Sequence, residues 1–257
     1  MQSEKQYIDL YTEAQQLIKE HAAPVLNEVR DKAFEDFRRQ GFPTKKVERY
    51  KYTDMQKLFE PDYGLNLNRL EIPVNPYDTF KCDVPNLSTS LYFIVNDQFY
   101  SKSLPKAKLN DGVIVDSLNH VATERPELVA KYYGRLANTE ADAITALNTM
   151  LAQDGLFIYV PKNVQLERTI QVINILRSDV DLMVNRRVLI VLEEGAKAQF
   201  LFCDHAADDR NFLATQVIEA YVGANANLEL NCLEETHAKN VRVSNVYIEQ
   251  QRDSRAS

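Results

Sequence analysis

Cys203-Asp204-His205 is the part of this 257-residue chain best suited to chemistry. Side chains alternate along an extended strand, so Cys203 and His205 share a face on which a thiolate and an imidazole could hold a soft metal ion. Cys232 follows 29 residues later and is the third candidate ligand. A second constellation is acidic: Asp204, Asp208 and Asp209 could supply the paired carboxylates that cleave glycosidic bonds. The alternative to a binding protein is therefore a carbohydrate-active enzyme. Against both stand simple considerations. A metal site needs a full ligand set in the right geometry, and free cysteines such as Cys82, Cys203 and Cys232 commonly serve as small buried hydrophobes. His237 reads as part of a polar turn, and His21 and His120 as solvated.

No Gly-x-x-x-x-Gly-Lys, Gly-x-Gly-x-x-Gly, His-Glu-x-x-His, Gly-x-Ser-x-Gly or Cys-x-x-Cys occurs in the sequence. Phosphate cradles, dinucleotide folds, zincins, hydrolase elbows and close-spaced metal knuckles lack support. The expectation is no catalytic residue, no cofactor-binding residue and no metal ligand beyond the candidates Cys203, His205 and Cys232. A formal charge of −7 argues against nucleic acid, whose phosphates are met by clustered Lys and Arg. The start, Met1-Gln2-Ser3-Glu4-Lys5-Gln6, has no apolar stretch behind it, and no run approaches the length of a membrane span. Together with three scattered cysteines, this predicts a cytoplasmic protein without disulfides or membrane contact.

The elements that must position these residues fall into two textures. From Ser3 to Gln40 apolar residues recur at helical spacing (Tyr7, Leu10, Tyr11, Leu17, Ile18, then Val25, Val29, Ala33 and Phe37). Pro24 suits the start of a second helix, and Gly41 followed by Pro43 gives a stop. Residues 57–87 are proline-rich and aperiodic, predicting a tether and a boundary near residue 85. Leu91–Val95 and Gln98–Tyr100 read as a strand and its return, and 123–136 and 139–152 as helices. After Asp154-Gly155, short β-rich segments follow one another: 156–161, 169–176, 187–192, 198–203, 212–222, 227–233 and 241–249.

These segments repeat. Residues 189–202 align without gaps on 217–230, a displacement of 28 that places Gly195 on Gly223. A weaker copy around Val160-Pro161-Lys162-Asn163 precedes them, with Asn163 in the glycine position. Gly and Asn accept positive φ readily, so each copy can form the same corner. A period of this size with one β-corner per copy predicts a solenoid. An antiparallel sandwich is less favoured, because no Asn-Gly or Asp-Gly turn occurs after Gly155. At this period Cys203 and Cys232 sit one residue out of phase and should face opposite sides. The β-region runs almost to Ser257 without a capping coil, so the chain is expected to be C-terminally incomplete.

Gly41-Phe42-Pro43-Thr44-Lys45-Lys46-Val47-Glu48-Arg49-Tyr50-Lys51-Tyr52-Thr53-Asp54 resembles the N-terminal signature of the SufD branch of the SufB/SufD family of iron–sulfur cluster assembly proteins (SUF system). Tyr50 stands where the family has tryptophan. Ala146-Leu147-Asn148, Asp154-Gly155, Val160–Val164 and 191–196 fit the family as well. The resemblance implies a mainly β fold with an α N-terminal region, a right-handed parallel β-helix. It divides the chain into a helical region and tether (1–85) and a β-helix core (86–257) with short helices at 123–152. It further implies a non-catalytic scaffold that acts with SufB and the ATPase SufC, an iron–sulfur cluster only at the level of that complex, and a SufC-docking helical domain absent from this sequence. The family's Cys-x-His-Gly-Ala-Thr segment is also absent, so its cluster role passes to neither His205 nor His237. Self-association through an exposed last coil is the remaining expectation.

Overall fold

The computed structural model describes residues 2–79, 89–102, 104–105, 109 and 112–257, excluding the side chains of residues 2, 78 and 79. The boundary expected near residue 85, and Cys82, lie outside the described residues. The N-terminal pattern forms α1 (Gln2–Glu20), α2 (Pro24–Asn27) and α3 (Arg30–Gln40), with Pro24 in the first turn of α2. Gly41 ends α3 at φ 62°, its N–H donating to the Phe37 carbonyl at 2.8 Å. A 3-10 turn (Glu48–Tyr50), α4 (Met55–Leu58) and α5 (Pro76–Thr79) punctuate the strap that follows. That strap is more structured than a tether: Gly64 bridges to Leu182 of the sheet.

The solenoid begins with β1 (Thr89–Val95), β2 (Gln98–Phe99) and β3 (Ile114–Ser117). Next come α6 (Leu118–Glu124), α7 (Pro126–Ala130) and α8 (Ala143–Leu151). The two helices expected over 123–136 and 139–152 are thus three, because Pro126 cannot continue α6 and Asp142 caps α8, accepting from the Thr145 N–H at 2.8 Å. Then β4 (Leu156–Val160), β5 (Thr169–Leu176), β6 (Leu182–Leu192), β7 (Lys197–Ala206), β8 (Phe212–Val222), β9 (Asn227–Glu235), β10 (Asn240–Gln250) and β11 (Arg255–Ala256) coil about three times. They build two facing sheets, ordered β11-β9-β7-β5-β1-β2 and β10-β8-β6-β4-β3. Pairing along the coils is parallel, which disposes of the sandwich, and among the described strands only β2 and β3 pair antiparallel. These two strands form the outer edges of the sheets at the N-terminal end.

The repeat exists, but its displacement differs from the sequence alignment. Leu189 pairs with Glu219 and Lys197 with Asn227, a register of 30 residues, so Asn225 rather than Gly223 stacks on Gly195. A slip of two leaves the in-out alternation of a strand unchanged, so hydrophobic pattern could not detect it. The corners are Asn163 (φ 60°), Gly195 (φ 70°), Asn225 (φ 58°) and Asp253 (φ 59°). Each of the first three donates its N–H to the coil above: Asn163 to Glu194 O at 2.9 Å, Gly195 to Ala224 O at 2.8 Å, Asn225 to Arg252 O at 3.0 Å. A Cβ at 195 would meet the Asn163 side-chain oxygen, which would have to swing aside.

Inside the coils, Ile170, Val172, Val188, Ile190, Phe200, Phe202, Ile218 and Ala220 form a continuous apolar column. A separate cluster of Leu176, Leu182, Val184, Phe212 and Ala214 fills the lumen beside the opposite corner. Outside, α1, α3 and α8 cover one sheet through Tyr7, Tyr11, Phe37, Ile144, Leu147 and Met150 against Met183 and Leu213.

Candidate functional site

β7 carries Cys203 and His205 on one face, as alternation requires, but the surroundings are those of a core. Cys203 is fully buried among Ile173, Ile175 and Phe93, and its sulfur accepts from the Gln171 amide at 3.5 Å. Cys232 pairs in register with Phe202, not with Cys203, whose neighbour is Leu233. The two thiols therefore belong to opposite faces of the sheet. His205 Nδ1 lies 3.6 Å from a Glu235 carboxylate oxygen. Among the described residues no group of three His, Cys, Asp or Glu side chains converges with metal-binding geometry.

The acidic corner is stitched shut by cations from neighbouring coils. Asp204, 3% exposed, takes the Arg186 guanidinium on one oxygen and that of Arg242, at 2.8 Å, on the other. Arg242 also meets Glu234. Asp208 accepts from Arg177 at 2.9 Å and from the Ser178 N–H at 2.9 Å, while its carbonyl meets His237 Nε2 at 2.9 Å. Lys239 holds Asp209 at 2.8 Å, and that hydrogen bond keeps the Asp209 carboxyl below the usual carboxylate range. A glycosidase acid needs the reverse, a carboxyl raised by an apolar site. The arrangement braces one coil against the next.

Pattern reading, which starts the strand at 187, missed the polar contacts on the outer face of the β6–β8 sheet. Arg187 and Glu219 are 1% and 0% exposed by side chain and pair at 2.6 Å. Glu219 also accepts N–H bonds from Gly134 at 3.0 Å, Leu136 at 2.9 Å and Ala137 at 3.0 Å. Arg187 reaches Thr149 Oγ1 at 2.9 Å and lies 4.8 Å from the Tyr133 ring centre. Arg30, 0% exposed, donates to the Met150 carbonyl at 2.8 Å. The signal was present as charged residues inside a β-rich run with no loop chemistry around them.

The signature segment docks the helical region on the solenoid. Phe42 stacks on Phe59 at 4.6 Å and meets Tyr7 and Phe37 edge-on, each pair adding about 0.5–1.5 kcal/mol beyond the area it buries. Tyr50 donates to Asp142 at 2.7 Å, and Arg49 pairs with the same oxygen at 3.1 Å. Asn245 of β10 donates to the other oxygen of Asp142 at 2.8 Å. One carboxylate thus joins the signature, the cap of α8 and the third coil. Burial pushes the Tyr50 phenol above its ordinary range, so it stays a donor.

Two family models match in succession. Residues 1–172 match the SufBD protein N-terminal region, and residues 174–257 the SufBD core domain of the SUF iron–sulfur cluster system. The chain belongs to the SufB/SufD family. Among curated relatives, SufBD family protein ABCI8, chloroplastic, of Arabidopsis thaliana is 32% identical over 143 residues, covering 54% of this chain and 24% of that protein. SufBD family protein slr0074 of Synechocystis sp. is 32% identical over 135 residues, 52% of this chain and 28% of that protein. The iron–sulfur cluster assembly protein SufD of Bacillus subtilis is 31% identical over 120 residues, 46% of this chain and 27% of that protein. The chain therefore matches about a quarter of the length of these SufBD relatives. No helix among the described residues is long and apolar enough to cross a membrane.

Proposed function

We infer that this SufBD chain is a non-catalytic scaffold subunit of iron–sulfur cluster assembly, acting in the cytoplasm with SufB and the ATPase SufC. The observation that carries this is the unbroken succession of the two family matches over residues 1–172 and 174–257. The site geometry agrees with it, since Asp204, Asp208 and Asp209 are each neutralised by a cation and the thiols diverge. The cluster is cargo of the assembled complex, and no residue of this chain is assigned to hold it. Co-expression with SufB and SufC is expected to give a complex that survives affinity purification and size exclusion. A longer form of the chain that never co-purifies with either would sink the scaffold reading.

A second copy is the partner expected of the chain on its own. Among the described residues β10 pairs with β8 on one side only. Val246 and Ile248, in register with the core residues Ile218 and Ala220, are 48% and 44% exposed. Unpaired strand edges with apolar side chains template further pairing. Light scattering should show a mass that grows with concentration, and Val246→Lys with Ile248→Lys should return it to the monomer value. A wild-type monomer at high concentration contradicts this.

A further inference from the structure

The lumen of the solenoid is not apolar throughout. Along β5, Val172 faces the large apolar column and Leu176 the smaller cluster, so by alternation Asn174 faces inward between them. The same reading places Arg186 between Val184 and Val188 on β6, Asp204 between Phe202 and Ala206 on β7, and Gln216 between Ala214 and Ile218 on β8. In the third coil Glu234 stacks on Asp204, and Ser244 on Gln216. A polar layer therefore crosses three coils and splits the interior into two apolar compartments.

Its charges are balanced, since Arg186 and Arg242 meet Asp204 and Glu234. Its hydrogen bonds are not. Asn174 is 1% exposed and, among the described residues, neither end of its amide has a protein partner; Arg186 Nη2 and Gln216 Oε1, on residues 1% and 2% exposed, also lack one there. The remaining groups are already engaged: Arg186 Nε donates to the Asn96 carbonyl at 3.0 Å and the Gln216 amide to Ser244 Oγ at 3.2 Å. Adjacent rungs can bond directly, as Gln216 and Ser244 do, but the rungs on either side of Asn174 are Ile94 and Asp204, and both Asp204 oxygens are taken by Arg186 and Arg242. Arg186 and Asp204 also line a cavity of about 30 Å³ at the third coil, together with Asn240, whose side-chain amide has no protein partner among the described residues. A water needs about 10–15 Å³ by this measure and two to four polar neighbours.

We propose that the polar layer is an internal water site, a short file of bound waters that runs from the Asn174 amide past Arg186 and Gln216 to the cavity at Asn240. The ligand is water because the layer is electrically neutral, carries donors and acceptors together, and has room for a single small molecule beside Arg186 and Asp204. The site makes the interior of the coils hydrated where a solenoid of this composition would be dry.

The test is a crystal structure of the chain at a resolution that shows bound water, paired with deuteron relaxation dispersion in solution, which counts waters with long residence. Density is expected within hydrogen-bond distance of Asn174 Oδ1 or Nδ2 and of Arg186 Nη2. In the Asn174→Leu, Gln216→Leu double variant the long-lived population should fall while circular dichroism keeps its β spectrum. Direct bonding of the Asn174 amide to a protein group with no water beside it would overturn the proposal, as would a dispersion signal that the double variant leaves unchanged. The wild-type crystal structure decides if that variant does not fold.

Discussion

Glu219→Ala is expected to lower the unfolding free energy of the chain by about 3–5 kcal/mol, the range seen when one partner of a buried ion pair is removed. Arg187 would be left charged at 1% exposure, with the neutral groups of Asn148, Thr149 and the Tyr133 ring near its head. The loss would also free the N–H groups of Gly134, Leu136 and Ala137, which converge on the Glu219 carboxylate. The segment between α7 and α8 would then lose its anchor on the sheet. Urea unfolding followed by circular dichroism measures the difference. The Arg187→Met, Glu219→Leu double variant should recover much of it, because it removes the orphaned charge as well as the pair. A single variant within about 1 kcal/mol of wild type would show that the network carries little, since surface substitutions already span about half that range.

Gly155→Ala should be comparably severe, for a different reason. Gly155 precedes β4 and its carbonyl accepts the Leu118 N–H at 3.0 Å; a Cβ there would collide with the backbone carbonyl of Arg187. Backbone atoms cannot swing aside as a side-chain tip can. Overpacking of this kind costs about 1–3 kcal/mol and more against a rigid obstacle. At about 3 kcal/mol, the top of that range, the thermal midpoint of a chain of this length should fall by roughly 6–12 °C. Gly64→Ala is the matched control: its nearest neighbour, the Asp181 carbonyl oxygen, would lie at 3.4 Å, an ordinary contact. Equal melting temperatures for the two variants would refute the steric account.

The fold was legible where the pattern repeats with a short period. The helical stripe of Tyr7, Tyr11, Ala33 and Phe37 is buried against α8 as spacing demands, and Pro24 and Gly41 mark real helix ends. β6 was read too short, as 187–192 rather than Leu182–Leu192, because Arg186 and Arg187 belong to buried ion pairs that no local pattern encodes. The repeat itself was found with its register two residues off. For the candidate site, alternation correctly set Cys203 and Cys232 on different faces, since their separation of 29 cannot match an even register. What sequence could not supply was the fate of Asp204, Asp208 and Asp209. Their partners Arg242, Arg177 and Lys239 come from separate strands and loops, brought near by the coiling alone.

The corner residues carry a consequence for how this architecture tolerates change. From Asn163 to Gly195 to Asn225 to Asp253 the separations are 32, 30 and 28 residues, read directly from their positions. Each circuit sheds two residues, never one. An even change slides a strand along its neighbour and keeps every inward side chain inward, whereas a single insertion within β8 would turn Ile218 and Ala220 to the outside and bring Val217 and Glu219 into the column. Length variation among such coils should therefore occur in pairs within strands, and singly only at the corners and the opposite loops, where the parity of the chain is reset.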